Sequence, residues 1–330
     1  MVFPLRFCRR ALATASAGKR PFDRALKLAQ RTRAFAQPDA HEYEYLREEV
    51  AERLTERIED ISLEFDFPTA LDLGAGSGHV RRALGGRGGV HRLIEVDSCE
   101  SALAASAARQ RTEPKHEFEV ERICSDEELP LPVEPGSVDL VVSNLSLHWV
   151  NDLPSAFANA RTALKPNGLF LGAMFGGETL EELRNVFVAA DLERHGGVSN
   201  HTSPLTRVSD VGNLLTAAGF ALPTIDVEKI TVAYEDAFVL MHHLQRMGES
   251  GADAMRTRVV SRDSVLAAAA AYQALYAGEE GSIPVTFEVI YFVGWAPHAS
   301  QPKPLKRGSG QVSLTGMGGG ALGDGGPGRG

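Results

Sequence analysis

The chain is short of several features that would place it in familiar classes. Its three cysteines, Cys8, Cys99 and Cys124, form no C-x-x-C pair. That excludes a disulfide scaffold and the usual thiolate zinc sites, and it suits a reducing compartment. No apolar run approaches the roughly 20 residues that a membrane-spanning helix needs. None of the ten histidines has Asp or Glu two positions later, so the simplest sign of a two-histidine, one-carboxylate iron site is missing and no metal is expected. Large apolar residues are scarce in 296–330, which has eleven glycines from Gly308 onward. Such a segment buries too little to order itself, and a disordered tail is expected.

Acids are almost absent from residues 1–36, where nine Lys and Arg face Asp23 alone. Arg-rich, acid-poor sequence with an apolar side (Phe3, Leu5, Phe7, Leu12) reads as a mitochondrial transit peptide, while Arg9 and Arg10 interrupt any secretory apolar core. The net charge of −9 for the whole chain therefore hides a strongly acidic body. An acidic body repels phosphate, so nucleic acid is not an expected partner. Residues 37–295 remain as one domain.

Within that body, apolar Ala70–Leu73 runs into Gly74-Ala75-Gly76-Ser77-Gly78. Glycine at alternate positions lets a ligand lie against bare backbone, and the helix that follows offers unpaired N–H groups. A second strand-like run, Arg92–Val96, ends in Asp97, about where the ribose-binding carboxylate of a nucleoside cofactor belongs. Further strand-like runs fall at 118–123, 138–143 and 169–175, with helical periodicity at 43–61, 98–111 and 155–164. Alternation of this kind predicts an α/β fold, a doubly wound, mostly parallel sheet with the ligand at the carboxyl edge of its strands. Beyond it, helical segments at 179–194, 210–218, 236–247 and 264–277 suggest a helical insertion around 178–280. Strand-like 225–234 lies among them, and a buried edge strand is expected at 285–294.

The stretches LDLGAGSG, CSDEELPLP, VDLVVSNLSLHWV and LKPNGLFLGAMF resemble the class I S-adenosylmethionine-dependent methyltransferase fold, a seven-stranded sheet. In a sharper form, SNLSLHWVNDLP (143–154), GAMFGGETLEELR (172–184), MGES (247–250), RDSVLAAAAAYQALY (262–276) and IYFVGW (290–295) resemble the mitochondrial complex I assembly factors of that fold. Ala75 and Ser77 depart from the cysteine and basic residue expected there. The resemblance implies an S-adenosylmethionine-binding protein in the mitochondrial matrix or peripheral on the inner membrane. It would hydroxylate an arginine of a matrix-facing complex I subunit.

The resemblance also implies roles by position. Gly74, Gly76 and Gly78 would admit the methionine part, Asp72 would orient its amino group and Asp97 would accept from the ribose. Asp126, with Glu127 as substitute, would meet the adenine amine, and Asn144 would line the reaction pocket. Asn144, His148 and Trp149 are the candidates for catalysis. Glu178, Glu181 and Glu182 could attract a guanidinium, although Thr179 and Glu182 also have the spacing of a capping box. His242 and His243 read as helix surface or core. Three functions stay open: the protein arginine hydroxylase, a true methyltransferase such as one acting on malonyl-acyl-carrier protein, and a chaperone that keeps the cofactor site for stability.

Overall fold

The computed structural model describes residues 20–62, 66–113, 118–255 and 260–302. The described residues up to Pro297 form one compact unit. Of the segment beyond it, the described residues 298–302 make a short turn in which the Gln301 N–H donates to the His298 carbonyl. The rest of the expected tail, 303–330, lies outside the described residues, as do residues 1–19.

Seven strands form one sheet in the order β3-β2-β1-β4-β5-β7-β6. β1 (Thr69–Leu73), β2 (Arg92–Asp97), β3 (Glu119–Cys124), β4 (Val138–Asn144) and β5 (Leu164–Phe175) are mutually parallel. β1, β2, β4 and β5 are apolar and buried along most of their length, as strands covered on both faces are, whereas the polar edge strand β3 stays half open. β7 (Ile283–Trp295) then runs antiparallel to both β5 and β6 (Ala221–Tyr234). The strand expected at the edge is thus interior, and β6 is the edge. Its burial alternates and stays half open along most of its length, whereas β7 is buried through Phe287–Phe292. Gly172 sits opposite Phe292, and an added Cβ would lie 2.3 Å from that ring. The aromatic ring thus fills the space the glycine leaves, stacked with Phe157. Each such fully buried side chain stabilises the fold by about 1.5–3 kcal/mol.

Helices α2 (Tyr45–Ser62), α3 (His79–Leu84), α4 (Glu100–Gln110) and α5 (Leu153–Ala163) belong to the parallel half. Asp152 caps α5 through the Ser155 N–H, with Pro154 in the first turn, where it needs no donor. Helices α6 (Glu181–His195) and α7 (Val208–Ala217) separate β5 from β6, and α8 (Ala237–Met247) and α9 (Arg262–Tyr276) separate β6 from β7. The capping box expected at Thr179 and Glu182 does not form. The α6 cap residue is Leu180 in the left-handed region, Thr179 Oγ1 donates to the Glu288 carbonyl, and Glu182 accepts from Thr286. β7 has claimed both side chains.

The folded unit also begins earlier than charge suggested. Residues 24–35 form helix α1 (Arg24–Phe35), capped by Asp23 through the Leu26 N–H, with Lys27 and Ala34 buried. The Asp23 N–H donates to the Ala252 carbonyl and the Ala254 N–H to the Pro21 carbonyl. Residues 20–36, which the charge pattern assigns to the leader, are therefore packed into the described body. At the other end Ala296 is buried and hydrogen-bonded to Gly168 and Asn167, so it belongs to the body.

Candidate cofactor and substrate site

The glycine turn follows β1, as its apolar lead-in requires. Its first N–H, at Gly74, donates to the Val96 carbonyl, and the Gly76 N–H donates to Asp97 Oδ2 at 2.8 Å. Asp97 Oδ1 accepts from the Cys99 N–H at 2.7 Å. The carboxylate at the end of β2 is thus held by backbone from two directions, a fixed acceptor at the strand edge. Gly74, Gly76 and Gly78 all have positive φ, at 78°, 58° and 82°. The glycines have unequal reasons. A Cβ on Gly74 would meet Ser146 Oγ at 2.1 Å, and one on Gly78 would meet Ser106 Oγ at 2.6 Å and Glu95 Oε1 at 2.9 Å. Those two are needed by the protein's own packing. Gly76 is the roomier one, facing His79 and Phe35 of α1 at 3.4 Å and beyond.

Every expected acid at this edge except Asp72 has an arginine from α1. Arg31 Nη2 donates to Asp97 Oδ2 at 2.7 Å, and Arg24 Nη2 donates to Asp126 Oδ1 at 2.6 Å and Glu127 Oε2 at 2.7 Å. Burial alone would depress the Arg24 guanidinium, but Glu127 and Asp126 outweigh it and raise its pKa. Of the two carboxylates, burial lifts Asp126 despite Arg24, whereas for Glu127 the pull of Arg24 and Arg31 overcomes burial.

Asp72 stands apart. It lies in register with Glu95, fully buried, and neither carboxylate oxygen has a hydrogen-bond partner. Burial, then Glu95 and Asp97, push its pKa well up.

Asn144 ends β4 and donates from Nδ2 to the Arg47 carbonyl at 2.9 Å, and its Oδ1 is unpartnered. His148 and Trp149 follow in a 3-10 turn, both buried. They converge on a residue that the sequence quoted in MGES but did not assign. Glu249 Oε2 accepts from Trp149 Nε1 at 2.7 Å and lies 3.4 Å from His148 Nε2, while Oε1 is paired with Arg47. Burial would raise the Glu249 pKa, but Arg47, His148 and Lys27 prevail and hold it below the usual carboxylate range. Burial lowers His148 against the pull of Glu249, so its imidazole is neutral. Lys27 Nζ lies 3.3 Å over the Trp149 ring and donates to the Gly248 and Ser250 carbonyls.

The acid cluster at the start of α6 is occupied otherwise, with Glu182 on Thr286 and Glu178 paired with Lys229. His243 sits among Tyr43, Tyr45 and Tyr234, and His242 beside Tyr43. Among the described residues no group of His, Cys, Asp and Glu is placed to hold a metal ion, and no helix is long and apolar enough to cross a membrane.

Arg24, Lys27, Arg31 and Glu249 are the site residues that sequence reasoning missed. The three basic ones carried a signal, spacing of three and four on one helix face, but read as leader charge.

A doubly wound sheet with a glycine turn after β1, a backbone-fixed acid after β2 and polar residues after β4 defines a methyltransferase-fold protein, and residues 71–172 match the family model described as a methyltransferase domain. A solved structure of a candidate methyltransferase from Bacillus halodurans has the same fold, at TM-score 0.52 and 17% identity, covering 74% of this chain and 99% of that one. The chain belongs to the family of the mitochondrial arginine-hydroxylase NDUFAF5. It is 43% identical over 298 residues to the Danio rerio protein of that name, covering 90% of this chain and 89% of the relative. A malonyl-[acyl-carrier protein] O-methyltransferase of Xylella fastidiosa is more distant, 35% identical over 82% of this chain and 88% of its own.

Proposed function

We propose that the protein is a mitochondrial, S-adenosylmethionine-binding arginine hydroxylase acting on a matrix-facing subunit of respiratory complex I during assembly. The observation that carries this reading is the extent of the match to the Danio rerio arginine-hydroxylase. It spans 90% of this chain, far beyond the matched methyltransferase domain, and so takes in helices outside the cofactor half.

The residues present fit S-adenosylmethionine. The fixed Asp97 suits the ribose hydroxyls, Asp126 or Glu127 the adenine amine, the turn at Gly74, Gly76 and Gly78 the methionine part, and the unpartnered Asp72 and Asn144 Oδ1 await donors. Arg24 and Arg31 must shift as the cofactor enters. When bound, the cofactor would supply a sulfonium methyl at this edge. Methyl transfer consumes it, whereas hydroxylation leaves it intact.

Hydroxylation replaces a C–H bond of the substrate by C–O–H. One oxygen atom comes from dioxygen and the other leaves as water, with two electrons from an external reductant and two protons. The chain's own part would be to position the side chain and exclude bulk water, a role for buried His148 and Trp149 after β4 and for Glu249, which accepts from Trp149. On this reading the import leader lies ahead of α1. Mass spectrometry of complex I subunits from cells lacking and re-expressing the protein tests the reading. One added oxygen on an arginine supports it, an added methyl group on any substrate favours the methyltransferase, and neither change leaves the chaperone.

A further inference from the structure

Beside the cofactor edge lies a cavity of about 60 Å3. Its lining includes His148, Trp149 and Phe175 and the apolar Leu183, Leu205 and Phe287, and Glu249 is the carboxylate among its lining residues. No Lys or Arg lines it. Lys27 and Arg47 touch Glu249 or its neighbours but are not among the lining residues. We propose that Glu249 is the specificity-determining carboxylate that receives the guanidinium of the substrate arginine, with Trp149, His148 and Phe175 as the aromatic wall along which it stacks. This rests on the arginine-hydroxylase reading and deepens it.

Four observations support the assignment. The Glu249 carboxylate already pairs through Oε1 with one guanidinium, that of Arg47. Oε2 retains acceptor capacity, because the His148 contact at 3.4 Å is a long one. The buried Nδ1 of His148 has no partner, so the wall holds a polar atom that nothing in the protein satisfies. Apolar sides with one buried charge at the end match an aliphatic stem carrying a delocalised cation, which stacks on aromatic faces and pairs with carboxylate.

A malonyl group presents the opposite charge. Its carboxylate would meet Glu249 with no cation on the wall to receive it, so the cavity also discriminates between the two enzyme classes. A second cavity of about 370 Å3 shares His201, Thr202, Ser203 and Leu205 with the first and has Arg184, Arg207 and Asp253 on its walls. Its mixed charge suits the main chain and neighbours of the substrate segment, and selection for a cation falls to the inner cavity.

The test uses the full chain with S-adenosylmethionine and two neutral-capped probes, acetyl-arginine N-methylamide and acetyl-citrulline N-methylamide, followed by NMR titration. Wild type should bind the arginine probe at least tenfold more tightly than the citrulline probe, and Glu249→Gln should reduce that ratio to near one. Because Glu249→Gln also strips Arg47 of its partner, a second variant, Leu205→Trp, fills the cavity from another wall. It should lose the arginine probe while keeping its cofactor affinity. A folded Glu249→Gln that keeps the wild-type ratio, a Leu205→Trp that still binds the arginine probe, or a wild type that prefers monomethyl malonate overturns the proposal. The readout is binding, so its failure is distinguishable from that of the reaction. Arginine binding without added oxygen sinks the hydroxylase reading alone, and added oxygen with an unchanged ratio in Glu249→Gln sinks this assignment alone.

Discussion

Replacing Arg31 with alanine tests how α1 and the cofactor share the end of β2. Arg31 reaches Asp97 Oδ2 at 2.7 Å, with the aspartate side chain fully buried and the guanidinium 12% exposed. Removing one partner of a buried pair typically costs about 3–5 kcal/mol, because the charge left behind is uncompensated. Asp97 is better provided than that. It keeps the N–H groups of Gly76 and Cys99, and truncation at residue 31 admits water. A loss of about 2–3 kcal/mol of stability without ligand is expected. The same change should act on the cofactor with opposite sign. A ribose hydroxyl must donate to the oxygen that Arg31 now holds, and a hydrogen bond to a charged group contributes about 1.5–3 kcal/mol. Removing that competitor should tighten S-adenosylmethionine binding about tenfold or more. Urea unfolding without ligand, calorimetric Kd, and the ligand-induced rise in the thermal transition measure the two signs separately. Weaker cofactor binding by Arg31→Ala would show that Arg31 is a cofactor contact, and the competition argument would be wrong.

Lys27, driven down to about 7 mainly by burial, predicts a pH dependence. Its folded pKa lies below the unfolded value, so the unfolded chain binds the extra proton between the two. Stability should therefore rise with pH from about 7 toward 10.5, by about 2–3 kcal/mol between pH 7 and 9 relative to Lys27→Met; parallel curves for the two proteins in urea would refute it. Gly74→Ala combines a left-handed φ with a Cβ 2.1 Å from Ser146 Oγ, so about 2–5 kcal/mol of stability should be lost, and an unchanged thermal transition would contradict the packing account. Deleting residues 1–19 should leave the thermal transition in place and abolish import, whereas deleting 1–36 should collapse the transition, since it strips Asp97, Glu127 and Glu249 of cationic neighbours at once. A 1–36 deletion that folds as wild type would return α1 to the leader.

Much of the cofactor half was legible because its signals are local. The run from Ala70 to Gly78 carries strand, turn and helix start within a few residues, and Asp97 closes the next strand. What escaped was partnership between distant positions. Arg24, Lys27 and Arg31 look like leader charge until they meet Asp126, Glu127, Asp97 and the 248–251 loop, roughly 70 to 220 residues away in sequence. Glu249 acquires meaning only beside Trp149, 100 residues earlier. The edge order of β6 and β7 was illegible for a related reason. Apolar composition says that β7 is buried, but not that β6 folds back outside it.

Helix α1 touches both banks of the site. Through Arg24 and Arg31 it grips the acids that would receive the cofactor, and through Lys27 and Gln30 it grips the carbonyls of Gly248, Ser250 and Gly251 around Glu249. One rigid rod thus carries news between them. A cofactor that displaced Arg31 from Asp97 would also act on the helix that holds the loop around Glu249, and α1 would then link the two ligands thermodynamically. By reciprocity, the factor by which S-adenosylmethionine changes the affinity for the arginine probe must equal the factor by which the probe changes the affinity for S-adenosylmethionine. If each proves indifferent to the other, the rod is only a cover.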